Sequence, residues 1–200
     1  MKLKINYPFK IKQNTNVNKS SKSYGFSQAN RGMNLESLIN DSNEAYRARN
    51  IAIIYKKPTP VQIVKVDYPS RNKAVITEAY YKTPSTTDYN GIYKGKYIDF
   101  EAKENKNKTS FPLANVHPHQ VEHLKRIYEQ GGIGFLIIYW IHTDEFFLYP
   151  IDKFIPHFDG YLKDGRKSIP YEDFKAEAYI IQQGYNPRLN FLDVVDKYLL

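Results

Sequence analysis

The sequence predicts an α/β domain with a mixed central sheet flanked by helices. Three observations carry this. Helix-periodic and strand-like segments alternate along the chain, in the order helix, strands, helix, strands, helices. Residues 133–141 form a nearly continuous apolar run, the pattern of a strand buried on both faces. Lys94-Gly95 separates two strand-like runs, as a hairpin turn does. A chain of 200 residues buries roughly 70% of its unfolded surface. No repeat or linker splits it.

Each element has its own justification. Leu35, Leu38, Ile39, Ala45 and Tyr46 follow helical spacing, so a helix is expected to about residue 47, capped by Ser27 or Asn30. Residues 51–55 are a short apolar strand, broken by Lys56-Lys57-Pro58-Thr59-Pro60. Residues 61–66 alternate loosely and read as a strand or an extended arm, 68–72 as a turn and 74–81 as another strand. Residues 87–93 and 96–104 pair across Lys94-Gly95. A helix is expected over 118–130, with Val121, Leu124, Ile127 and Tyr128 on one face and Gly131-Gly132 ending it. Residues 145–149 follow as a strand, 152–158 and 171–182 as helices, and 191–199 as a closing helix.

Composition narrows the function classes. Hydrophobic residues make up 42% and aromatics 15%, which excludes a wholly disordered chain. Cysteine is absent, so disulfides and Cys-ligated zinc or iron–sulfur sites are excluded. The longest nearly apolar run is far shorter than the roughly 20 residues of a membrane helix, and no secretory signal is visible. A cytoplasmic protein is expected.

The formal net charge is +8, and its distribution says more. Residues 1–35 hold Lys2, Lys4, Lys10, Lys12, Lys19, Lys22 and Arg31 and no acid. The expected organisation is a basic flexible arm over 1–26 and one domain over 27–200. Such an arm fits a polyanion partner or a solubilising tail. Without an apolar face, nucleic acid suits it better than a membrane. A second basic stretch, around 56–86, carries Lys56, Lys57, Lys65, Arg71, Lys73 and Lys82 against Asp67 and Glu78. It reads either as an ordinary surface hairpin or as a protrusion that touches phosphates.

The chemistry concentrates in Ile98-Asp99-Phe100-Glu101-Ala102-Lys103. In a strand, Ile98, Phe100 and Ala102 share one face and Asp99, Glu101 and Lys103 the other. Two carboxylates and an ammonium beside core positions are costly unless something binds there. Chance supplies roughly two acid-x-Lys triplets in such a composition. Three occur, and only Glu101/Lys103 lies within an apolar alternation. It follows Asp88 by 13 residues across the hairpin, so Asp88 and Glu101 can meet and hold a hard divalent cation. A neighbouring lysine can stabilise phosphate charge. The competing readings are a surface ion pair for Glu101 and Lys103, and turn hydrogen bonds for Asp88. His117, His119 and His123 have neither tetrahedral-site nor His-Glu-x-x-His spacing, so zinc is not expected.

The arrangement resembles the PD-(D/E)xK nuclease superfamily, which implies a restriction-endonuclease-like core. Arg31-Gly32, Glu36, Thr86-Thr87-Asp88-Tyr89-Asn90-Gly91, Asp99-Phe100-Glu101-Ala102-Lys103 and His117-Pro118-His119-Gln120 together resemble the RecU family of Holliday junction resolvases. The resemblance implies magnesium, with manganese as substitute, on Thr86, Asp88, Glu101 and Gln120. It implies Lys103 as the transition-state lysine, with Glu36 and Asp99 supporting the ligands. Thr86 also reads as a strand-end residue, Gln120 as an exposed helix residue and Glu36 as an ordinary helix acid. Arg31 falls at a phosphate contact, and the basic insert at the family's stalk. The implied substrate is four-way junction DNA nicked in symmetric pairs. The implied partners are a second copy of the chain, RecA and the RuvAB branch-migration motor, at the nucleoid. Two rivals remain: a sequence-specific duplex endonuclease of the same fold and a non-catalytic junction-binding accessory protein.

Overall fold

The computed structural model describes residues 34–70, 73–82 and 86–200. A six-stranded mixed sheet forms the centre. Its strands are β1 (Ala52–Lys56), β4 (Tyr89–Tyr93), β5 (Lys96–Asn105), β7 (Ile133–Trp140), β8 (Glu145–Pro150) and β10 (Tyr179–Ile181), in the spatial order β1-β4-β5-β7-β8-β10. Only β5 and β7 run parallel; every other neighbouring pair is antiparallel. The parallel pair requires a crossover. It passes through β6 (Ser110–Pro112), a 3-10 turn (Leu113–Asn115) and α2 (Pro118–Glu129).

The centre of the sheet is packed on both faces, which explains the apolar run of β7. Phe135 and Ile137 join the core under α1 (Leu35–Ala48) and α5 (Phe191–Tyr198). Leu136, Ile138 and Trp140 join the second core, under α2, α3 (Ile151–Leu162) and α4 (Tyr171–Glu177). Alternation sends successive side chains to opposite faces, so a central strand has no polar side. Tyr89, Phe100 and Phe135 stack across three neighbouring strands at centroid spacings of 4.9 Å.

The β4–β5 hairpin turns where the sequence predicts. Lys94 and Gly95 both have positive φ, 47° and 77°, as a tight turn matched to strand twist requires. Gly91 permits a close approach: a Cβ there would lie 2.0 Å from the Ile53 carbonyl oxygen of β1.

Several expectations need correction. Helix α1 starts at Leu35, capped by Asn34, whose Oδ1 accepts from Ser37 N at 2.8 Å; Ser27 and Asn30 lie outside the described residues. The helix expected over 171–182 ends at Glu177, and Tyr179–Ile181 becomes β10, paired to β8. The open edge of β8 and the β-branched Ile180-Ile181 outweigh local helical spacing. Of the turn expected over 68–72, Tyr68, Pro69 and Ser70 belong instead to β2 (Val61–Ser70), and residues 71–72 lie outside the described residues. Pro69 falls where the pairing with β3 (Lys73–Tyr81) slips between Asp67 and Ser70, a place where a missing N–H is tolerated. Strands β6 and β9 (Ser168–Pro170) pair outside the main sheet and are too short to show a sequence pattern.

Strands β2 and β3 form a separate two-stranded ribbon whose side chains are exposed almost throughout.

Candidate active site

The site is set by hairpin register. Tyr89 lies opposite Phe100, and one step further along, Asp88 faces Glu101. The two residues interlock. The Asp88 N–H donates to Glu101 Oε2 at 3.1 Å, and the Ala102 N–H donates to Asp88 Oδ2 at 3.3 Å. Lys103 Nζ lies 2.7 Å from Glu101 Oε1. Glu101 is only 2% exposed, so the pair is not a surface ion pair. Burial pushes the Glu101 carboxyl up to about 7, with the Asp88 charge adding to it, against the opposing pull of Lys103 and of hydrogen bonds from Lys103 and Gln120. A buried carboxylate held next to another is a place for a cation.

Helix α2 brings in Gln120. Pro118 occupies the first helical position, and the His117 N–H donates to Gln120 Oε1 at 3.0 Å. That bond closes the helix start and holds Gln120, whose side chain also helps to stabilise the Glu101 carboxylate. Gln120 is 5% exposed, which removes the exposed-helix reading; its carbonyl oxygen retains a second lone pair. Thr86 is half-buried, two residues before Asp88. Thr86, Asp88, Glu101 and Gln120 offer only hard oxygen donors, the chemistry magnesium and manganese prefer. No group of three or more His, Asp or Glu among the described residues is placed to hold a metal, so the two carboxylates would need amide, hydroxyl or water oxygens beside them.

Asp99 is fully buried and saturated. Its Oδ2 receives Lys57 Nζ at 2.7 Å and Tyr97 OH at 2.9 Å, and His123 Nε2 lies 3.2 Å away. Its Oδ1 receives the Thr87 hydroxyl. Lys57 therefore departs from the expected phosphate contact. Its side chain is 18% exposed, and its ammonium is shared between Asp99 and Thr87 Oγ1, the latter at 2.9 Å.

Beyond Asp88, towards the start of α1, opens a cleft of about 300 Å³ lined by Asn34, Glu36, Lys56, Asp88, Tyr89 and Glu104 among others. Glu36 pairs with Lys56 at 2.6 Å, so Lys56 is also engaged. Glu104 Oε1 accepts from the Leu35 N–H at 3.0 Å, fastening the start of α1 to β5. Sequence reasoning passed over Glu104, although a signal existed: it is the charged residue that continues the Ile98, Phe100, Ala102 alternation. Of the other expected DNA contacts, Lys65, Lys73 and Lys82 are exposed on the ribbon; Arg31 and Arg71 lie outside the described residues. The three histidines do not converge: His117 stacks on His119 at 5.5 Å, while His123 turns to Asp99.

A hairpin that sets Asp opposite Glu-x-Lys, beside the parallel step of a mixed sheet, is a nuclease-like core of the PD-(D/E)xK kind. Comparison with known proteins narrows this. The model of the family described as recombination protein U matches residues 30–197. The chain is 57% identical over 170 residues to Holliday junction resolvase RecU of Staphylococcus epidermidis (strain RP62A), covering 85% of this chain and 82% of the relative. It is 51% identical over 201 residues to the protein of the same name from Staphylococcus aureus (strain N315), covering 98% and 97%. The chain belongs to the recombination protein U family.

Proposed function

We propose that this protein is a magnesium-dependent endonuclease that resolves Holliday junctions by paired symmetric nicks, with manganese able to replace magnesium. The observation that carries this reading is the interlocked Asp88–Glu101 pair with Lys103 against Glu101. The relatives' name, Holliday junction resolvase, supplies the substrate.

Asp88 and Glu101 would hold the cation, assisted by Thr86 and Gln120. When bound, the cation would make water a better nucleophile and neutralise charge on the scissile phosphate. Lys103 presents its ammonium at the same point, where charge accumulates on the phosphate oxygens in the transition state. Gln120 orients the Glu101 carboxylate from α2. Glu36 and Glu104 shape the cleft on the other side of Asp88.

The same reading includes a two-fold homodimer, since two symmetric sites match a substrate nicked on two strands. The ribbon exposes Val61, Ile63, Val64, Tyr68, Val75, Ile76, Tyr80 and Tyr81, and the β1–β4 end of the sheet exposes Ile53 and its pairing partner Ile92. Lone two-stranded ribbons are marginal in water, and contiguous exposed apolar surface marks an interaction site. Lys65, Lys73 and Lys82 give the ribbon a further role against DNA phosphates.

The test is cleavage of a synthetic mobile four-way junction and a plain duplex, with and without Mg2+, by wild type and Asp88→Ala. Paired nicks in the junction alone, abolished by the substitution or by chelation, are expected. Tight junction binding without cleavage under Mg2+ or Mn2+ would leave an accessory protein. Equal cutting of the duplex would remove the junction selectivity.

A further inference from the structure

Four chain segments that build the site meet at one carboxylate, Asp99, which itself touches neither substrate nor metal in the reading above. Lys57 stands where the chain leaves β1 for the ribbon. Its main chain and side chain both grip the stretch before β4: the Lys57 N–H donates to the Asp88 carbonyl at 2.7 Å, and its ammonium reaches Thr87 Oγ1 and Asp99 Oδ2. Thr87, next to Asp88, is where the chain returns from the ribbon, and its hydroxyl donates to Asp99 Oδ1. His123, one turn beyond Gln120 on α2, is within 3.2 Å of Asp99 Oδ2. Asp99 itself precedes Glu101 by two residues, on the same strand face.

We infer that the Lys57–Asp99 ion pair, with Thr87, is a positioning clamp that ties both roots of the β2–β3 ribbon to Asp88 and Glu101, so that a junction held by the ribbon sets the geometry of the cutting site. This rests on the nuclease reading of Asp88 and Glu101. Space-filling alone would be met by apolar side chains, which often replace a buried ion pair without loss of stability. What an ion pair with partners on three other segments, Lys57, Thr87 and His123, supplies is direction: each of these contacts fixes one segment relative to Asp99. A shift of the ribbon roots is transmitted through Thr87 to the Asp88 carboxylate, and small displacements of reacting groups are costly in rate.

The experiment uses the full chain and the variants Lys57→Met, Lys57→Arg and Thr87→Val. Three quantities are read: junction affinity without divalent metal, single-turnover cleavage at saturating junction over a Mg2+ series, and Mn2+ affinity by calorimetry. For Lys57→Met the expected result is junction affinity within about 3-fold of wild type and cleavage slower by roughly 10- to 100-fold. Half-saturation in Mg2+ and the Mn2+ dissociation constant should both rise, and Lys57→Arg should recover most of the loss. Thr87→Val, which deletes a single hydroxyl, should show the same split at smaller size and stands in if Lys57→Met does not fold. Wild-type rate and metal affinity in both Lys57→Met and Thr87→Val would overturn the clamp. A fall in junction affinity matching the fall in rate would overturn it too, and return Lys57 to a phosphate contact. If wild type binds Mn2+ yet cuts no junction, the nuclease reading fails while Mn2+ affinities still judge the clamp. If wild type binds no Mn2+, both fall.

Discussion

Glu101 holds its carboxyl where ionisation is costly, and that has a sign. Its pKa rises from 4.5 to about 7, first through burial and then through the charge of Asp88. Between those values the unfolded chain is ionised at this residue while the folded metal-free protein keeps the proton. The folded state binds more protons, so this group's contribution to stability falls as pH rises through that window. The ceiling is on the order of 3 kcal/mol. Glu101→Gln removes the effect. Metal-free wild type and variant should therefore melt together near pH 5, and the variant should melt higher by pH 8. Mg2+ at pH 8 should raise the wild-type melting temperature and leave the variant nearly unmoved. A difference that stays flat with pH would sink this account of Glu101. Much of the candidate site's geometry was readable at this scale, because acids on a strand with apolar alternate positions stand out. Lys57 was not, since a lysine in a basic Lys-Lys-Pro stretch looks like any solvated charge until Asp99 is found 42 positions later against it.

At the scale of elements, the β4–β5 hairpin and the β2–β3 ribbon differ in what holds them. The first is clasped between β1 and β7, and its Tyr89, Ile98 and Phe100 are buried. The second buries almost nothing among the described residues. Replacing residues 59–82 by a short Gly-Ser linker should therefore leave the melting temperature of the monomeric domain within about 3 °C, a shift of about 1 kcal/mol in a domain of this size. Junction affinity should fall by at least about 10-fold. Unfolding of the truncated protein would mean that the ribbon is part of the core after all; unchanged affinity would strip it of a DNA role. The same contrast explains which elements the sequence revealed. Strand β7 announces itself because both its faces are buried, and α2 because Gly131-Gly132 closes it. Strand β10 was hidden: its three residues gain strand form only from the open edge of β8, a partner about 30 positions away in sequence, and local periodicity cannot see that.

At the scale of the whole molecule, charge is divided by task. The cleft gathers Glu36, Asp88 and Glu104, with Glu101 beside them, and alone would repel a phosphodiester. The proposed cation would neutralise that locus, but attraction over longer distances must come from elsewhere. Among the described residues the ribbon supplies Lys65, Lys73 and Lys82, while Lys56 and Lys57 are spent on Glu36 and Asp99. The sequence adds six lysines within residues 1–26. Each phosphate neutralised contributes about 0.9 to the slope of log affinity against log salt on duplex DNA. If all six lysines make such contacts, deleting residues 1–26 should reduce the slope by up to roughly 5. Junction binding titrated from low to physiological salt should show a loss of slope of about 2 to 5, with cleavage at saturating junction preserved, because no residue of the cutting site is touched. An unchanged slope would make the arm a solubilising tail and leave the ribbon to supply the attraction. Loss of cleavage at saturation would instead place part of the arm at the cutting site, and the division of charge between capture and chemistry would fail.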